Sequence, residues 1–98
     1  MKVIVDLCIV PIGIGASLSK YISICENEIK KTKLKYILCP NGTSIEGEWD
    51  EVFEVIKKCH QKLHDINVPR IHTNIKIGTR IDKIQTLEDK INALDQYK

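Results

Sequence analysis

The chain lacks a surplus of either charge. Fifteen Lys and Arg stand against thirteen Asp and Glu, a formal net charge of +2. That is too little for the clustered basic face that a nucleic-acid backbone demands, so no nucleic-acid partner is expected. No apolar run approaches the ~20 residues of a membrane span. The opening stretch Met1–Asp6 has an early acidic residue and no small-residue cleavage site, which speaks against a signal peptide. A cytoplasmic location is therefore expected. The four cysteines, Cys8, Cys25, Cys39 and Cys59, include no C-x-x-C pair. Zinc ligands normally come as such pairs from one tight turn, whereas each of these lies in an apolar pattern and reads as a small core hydrophobe. His60 and His64 are one helical turn apart, but no Glu follows His60 in the H-E-x-x-H manner, so no metal site is assigned and both read as surface residues. No Ser or Cys nucleophile with a recognisable base is present, nor a carboxylate dyad in a known motif, and no catalytic residue is assigned.

What is present is organised around Leu34–Glu51. Two short apolar runs flank Pro40-Asn41-Gly42, and Asn-Gly readily takes the positive φ of a tight hairpin turn. Before this hairpin, Lys2–Val10 alternates with apolar residues on both faces and reads as a central strand, Asp6 being the exception. The loop Pro11–Ala16 follows, then a helix from about Ser17, its expected N-cap. Leu18, Tyr21, Ile22, Cys25 and Ile29 make the apolar face of that helix, with Lys20, Glu26, Asn27 and Lys30 facing out. After the hairpin, Trp49–Ile66 carries a wide apolar face, with acidic residues early and lysines late, as the helix dipole prefers. Arg70–Ile77 alternates strictly and reads as a half-buried strand. Thr86-Leu87-Glu88-Asp89 resembles a capping box and starts a short helix over about residues 86–96.

The order β-α-β-β-α-β plus a C-terminal helix predicts one α+β domain over residues 1–98: a ferredoxin-like sandwich with a four-stranded antiparallel sheet. The sheet face away from the helices is left bare, presenting Asp6, Cys8, His72 and Lys76 with Val10, Ser44 and Glu46. A mixed patch of that kind predicts an interface between copies of the chain.

Two short signals carry little chemistry. Gly13-Ile14-Gly15 sits between strand and helix, but Leu18 stands where a dinucleotide fingerprint needs its third Gly. Asn41-Gly42-Thr43 has the form of a glycosylation sequon and reads simply as a turn. Glu46, the carboxylate of the hairpin strand, has two open readings. It pairs across the sheet with Lys76 or His72, or it recognises a cation or an amino-substituted heterocycle.

Three segments resemble the thiamine-binding protein family of small cytosolic proteins. Val10-Pro11-Ile12-Gly13 with Ser17-Leu18-Ser19-Lys20-Tyr21 is similar to V-P-x-G and S-x-S-K-Y. Pro40–Gly47 with Trp49-Asp50-Glu51-Val52 is similar to P-x-G-T-x-I-E-G and the D-E-V helix start. His72–Ile77 with Arg80-Ile81-Asp82-Lys83 is similar to T-x-I-K-I and R-x-D-K, and the Gly78-Thr79-Arg80 ending looks closest to fungal members. Asn41 stands where many members have Met, and Gly78-Thr79 where many have Asp-Asp. The resemblance implies a binding protein, not an enzyme, with thiamine or its hydroxymethylpyrimidine moiety as ligand and no further cofactor. It also implies a homotetramer arranged as a dimer of dimers.

An aminopyrimidine offers an exocyclic amino donor and ring-nitrogen acceptors, and thiamine adds a positive thiazolium. Ser17, Ser19, Tyr36, Asn41, Thr43 and Glu46 have the hydroxyl, amide, carboxylate and aromatic groups to meet these. The alternative is a structural or regulatory protein acting through its oligomeric surface without a small ligand. A third reading is a small hydrolase or transferase using Glu46 or Asp6 as base.

Overall fold

A computed structural model describes residues 1–97. The elements are β1 (Lys2–Ile12), α1 (Ser19–Lys30), β2 (Lys35–Cys39), β3 (Gly42–Glu48), α2 (Trp49–Asp65), β4 (Arg70–Gly78) and α3 (Leu87–Asn92), with a 3-10 turn at Asp95–Tyr97. The strands form one antiparallel sheet in the order β2-β3-β1-β4, and α1 and α2 pack on one face of it. This is the ferredoxin-like α+β sandwich that the element order predicts.

The alternation in β1 sends Val3, Val5 and Leu7 into the core, where they meet Ile45 of β3. Cys25 and Ile29 of α1 and Val52, Val55, Cys59 and Leu63 of α2 complete it. All four cysteines are free; Cys25 and Cys59 are buried, Cys8 and Cys39 half-buried. The Cys59 thiol approaches the Cys25 carbonyl oxygen at 3.7 Å. Its hydrogen bond with Cys25, and then burial, hold the Cys59 thiol protonated, far above the ordinary thiol range.

The register between β1 and β3 runs unbroken from Lys2↔Glu48 to Leu7↔Thr43. Because side chains alternate, Thr43 and Ile45 face the helices while Ser44 and Glu46 face the other side. The turn itself differs from the sequence expectation. Cys39 pairs with Gly42, so Pro40 and Asn41 are its central residues. Neither Asn41 nor Gly42 has positive φ; among the described residues that conformation occurs at Gly13, Gly15 and Asn67. Gly42 is required for close approach instead. A Cβ there would lie 2.9 Å from the Leu7 carbonyl oxygen and 3.2 Å from Asp6 Oδ1.

One helix start corrects the sequence reading and another bears it out. Helix α1 begins at Ser19 with Leu18 in the cap position and no side-chain cap, so Ser17 does not cap it. At α3 the capping box forms in full: Thr86 Oγ1 accepts from Asp89 N–H at 3.1 Å, and Asp89 accepts from Thr86 N–H at 3.0 Å. The regular part of that helix ends at Asn92, short of the expected span.

The far face of the sheet is not wholly bare. The segment after β4 returns across it and buries Leu87. Along the uncovered part, Asp6 stands opposite Lys76, Cys8 opposite Asn74 and Val10 opposite His72.

Candidate functional site

The strands of the hairpin stop short of β1. Pairing with β3 ends at Leu7, while β1 continues along β4 as far as Ile12. A notch therefore opens between the outer edge of Cys8–Ile12 and the turn at Pro40-Asn41. Helix α1 roofs it with Leu18, Tyr21, Ile22, Cys25 and Glu26. The result is a cleft of about 260 Å³ with mainly apolar walls, including Leu7, Ile9, Pro11 and Leu38.

One carboxylate lines this cleft. Glu26 shares the α1 stripe of Ile22, Cys25 and Ile29 and is half-buried rather than facing out. Its Oε1 accepts a hydrogen bond from Thr43 Oγ1 at 2.5 Å. Thr43 is 5% exposed, held on the helix-facing side of β3. Among the described residues Glu26 joins no ion pair. A carboxylate so placed is short of counter-charge, because the apolar wall solvates it poorly and Thr43 offers a neutral donor.

The sequence-assigned ligand residues are only partly brought together. Thr43 and Asn41 line this cleft, Asn41 at its exposed rim. Tyr36 packs on the helix-facing core outside it. Ser17 and Ser19 are exposed, in the loop and first turn before Tyr21, and do not line it. Glu46 is on the opposite face of the sheet, 4% exposed. Its Oε1 accepts from the Leu87 N–H at 3.4 Å, and Lys2 Nζ stands 3.5 Å from Oε2, which has no hydrogen-bond partner. Glu46 does not reach Lys76 or His72, because β1 runs between β3 and β4. It closes the inner end of the C-terminal segment. Beside that segment a wider groove of about 900 Å³ runs over Ile4, Asp6, Ile37 and Lys76.

Glu26 and Tyr21 were not among the sequence-assigned residues. The signal for Glu26 was there: it falls four residues after Ile22 and three before Ile29, within the apolar stripe. Of the two helix histidines, one differs from the surface reading, while His64 is exposed as expected. His60 is half-buried, with Nε2 2.7 Å from Thr73 Oγ1. Burial, and then His64, hold its pKa below the ordinary imidazole value. His64 Nδ1 lies 2.8 Å from the Val68 carbonyl oxygen, which accepts from it. Among the described residues no group of three or more His, Cys, Asp or Glu side chains is placed to hold a metal ion. No described helix is long and apolar enough to cross a membrane.

The topology defines a ferredoxin-like protein, with a small, mainly apolar cleft between its first helix and the sheet. Comparison with known proteins makes the class particular. The chain belongs to the Thiamine-binding protein family, whose pattern matches residues 5–95. It is 41% identical over 97 residues to a UPF0045 protein of Synechocystis, covering 99% of this chain and 80% of that one. It is 39% identical over 97 residues to the UPF0045 protein ECM15 of the fungus Eremothecium gossypii, covering 98% and 92%. Among solved structures, a hypothetical protein of Methanocaldococcus jannaschii matches with TM-score 0.89 at 36% identity, over 97% of each chain. A Thermotoga maritima protein whose name connects it with thiamine biosynthesis or salvage matches with TM-score 0.81 at 26% identity, over 100% of each.

Proposed function

We propose that this protein binds thiamine, or its hydroxymethylpyrimidine moiety, in the cleft beneath α1, and does so without catalysis. The observation that carries the reading is the Glu26 carboxylate, bonded to Thr43 and without a cationic partner among the described residues, on the wall of a mainly apolar cleft. Thiamine supplies what that wall wants: amino donors on a flat ring and a positive thiazolium. The volume of about 260 Å³ suits one ring inside and the second at the mouth, since pockets for larger ligands start at ~300 Å³. Family membership supports the same ligand. Of the residues assigned from sequence, Thr43 and Asn41 serve the cleft; Ser17, Ser19, Tyr36 and Glu46 do not touch it. Such a protein acts in storage, delivery or sensing in the cytoplasm.

Isothermal titration calorimetry with thiamine and with hydroxymethylpyrimidine tests this. Saturable binding is expected, weakened by Glu26→Gln more for thiamine than for the neutral pyrimidine. Absence of heat with either at millimolar ligand overturns it.

The proposal extends to assembly. The face of Asp6, Cys8, His72 and Lys76 is continuous with a C-terminal segment that exposes Ile81, Ile84, Ile91, Leu94 and Tyr97. That much open apolar surface supports burial against further copies, as a dimer of dimers. Sedimentation velocity is expected to show a multiple of the 11.2 kDa chain; a monomer at micromolar concentration overturns this part.

A further inference from the structure

We infer that the unpaired main chain of Ile9 reads the ligand's ring edge, so that the specificity of the cleft for an aminopyrimidine resides in the backbone of β1. This rests on the binding reading above and goes beyond it by naming the recognition group and the ligand edge it takes.

The orientation follows from Gly42. A Cβ on Gly42 would lie 2.9 Å from the Leu7 carbonyl oxygen, so Leu7 turns its carbonyl toward β3. Main-chain groups alternate sides along a strand, so Ile9 directs its N–H and C=O the same way as Leu7. At Ile9, however, β3 has already turned away, and pairing continues only with β4 on the other side. Pro11 sits two residues further along the same edge, where its missing N–H costs no ladder bond. The Ile9 groups open instead onto the cleft, which Ile9 lines together with Glu26 and Thr43.

An extended residue holds its N–H and C=O side by side, pointing the same way. An aminopyrimidine places a ring-nitrogen acceptor beside an exocyclic amino donor. The two edges match: Ile9 N–H donates to the ring nitrogen, and the amino group donates to the Ile9 carbonyl oxygen. Main-chain groups at a half-buried edge need such partners, since unpaired ones are costly away from water. An added peptide strand is the other occupant such an edge admits. The roof of Leu18 and Tyr21 and the volume of about 260 Å³ favour a small ring over a chain.

The experiment compares thiamine with the analogue whose pyrimidine amino group is replaced by oxo, which reverses the donor and acceptor order. The analogue is expected to bind at least about tenfold more weakly to the wild-type protein. In an isotope-labelled sample, thiamine is expected to shift the Ile9 amide proton downfield and slow its exchange. Ile9→Pro removes the N–H, together with an isoleucine side chain that packs against the core, on an edge that already accommodates Pro11, and is expected to weaken thiamine binding by a similar factor. Should that variant fail to fold, the analogue and amide measurements on the wild type still decide. Equal affinity for thiamine and the oxo analogue, or an Ile9 amide unmoved by bound thiamine, overturns this inference while leaving thiamine binding in place. Absence of thiamine binding overturns both, and protection of the whole Cys8–Ile12 edge by a peptide without thiamine binding does the same.

Discussion

Thr43 and Glu26 come from different elements, seventeen positions apart, and meet in a 2.5 Å hydrogen bond that joins the hairpin strand to α1. The bond gives a buried hydroxyl its acceptor and a half-buried carboxylate its only protein donor among the described residues. Thr43→Val keeps the shape and removes the donor. It is expected to lower stability by about 1–3 kcal/mol, the cost of leaving a polar group unsatisfied away from water. Urea unfolding measures the loss, and an unchanged midpoint would show that the carboxylate finds other solvation.

Gly42 sits where two strands come too close for any side chain. Gly42→Ala puts a methyl group against the Leu7 carbonyl and the Asp6 carboxylate. Backbone on one side cannot yield as a flexible side chain can. The expected cost is about 1–3 kcal/mol, as for other overpacked sites. Gly15→Ala makes a useful contrast: nothing lies within 4 Å of the added carbon, but φ is +92°, so strain alone is measured there.

His60 adds a pH dependence. Its pKa is held below 6.5, first by burial and then by His64, so the unfolded chain binds a proton there more readily than the folded one. Stability from this group is therefore full above about pH 6.5 and is lost as pH falls through the depressed folded value. Thermal melts between pH 7.5 and 5.5 are expected to fall more steeply for the wild type than for His60→Gln. Parallel slopes would remove His60 from the account. The exposed Asp82 carboxyl, held down to about 2 by Arg80, titrates far below this window and does not confuse it.

Glu46 anchors the C-terminal segment through the Leu87 N–H. Helix α3 has six residues, too few to persist alone, so its order depends on this contact and on the burial of Leu87. Glu46→Ala is expected to speed hydrogen exchange at Leu87–Asn92 by about tenfold, the effect of roughly 1.4 kcal/mol on local opening, with the α2 amides unaffected. Equal exchange in both proteins would mean that Leu87 packing suffices.

Much of the fold was legible because its elements are short and strongly patterned. The two-residue period of β1 and the wide apolar face of α2 place most of the core, and the period of β4 places Ile71 and Ile75 against it. The capping box at Thr86 and Asp89 could be read from four letters, because its bonds are local. The cap of α1 could not. Ser17 has the right chemistry, but the loop carrying Gly13 and Gly15 delivers the helix one residue later, with Leu18 in the cap position. The turn was misread for a similar reason. Asn-Gly has an intrinsic taste for positive φ, and the pairing of Cys39 with Gly42 moved the turn one residue earlier.

The candidate site was less legible. From the sequence by itself came the ferredoxin-like order, the family resemblance, and the split of Thr43 from Glu46 onto opposite sheet faces, all consequences of local period and chain order. Tertiary structure decided three things. It placed Glu26 against Thr43, brought the C-terminal segment over Glu46, and ended the pairing of β3 with β1 at Leu7 so that the edge of Ile9 stands open. Each depends on how far one element extends past another. Period tells which face a residue takes; only the packed chain sets where neighbouring elements stop, and the cleft exists because β1 is longer than its partner.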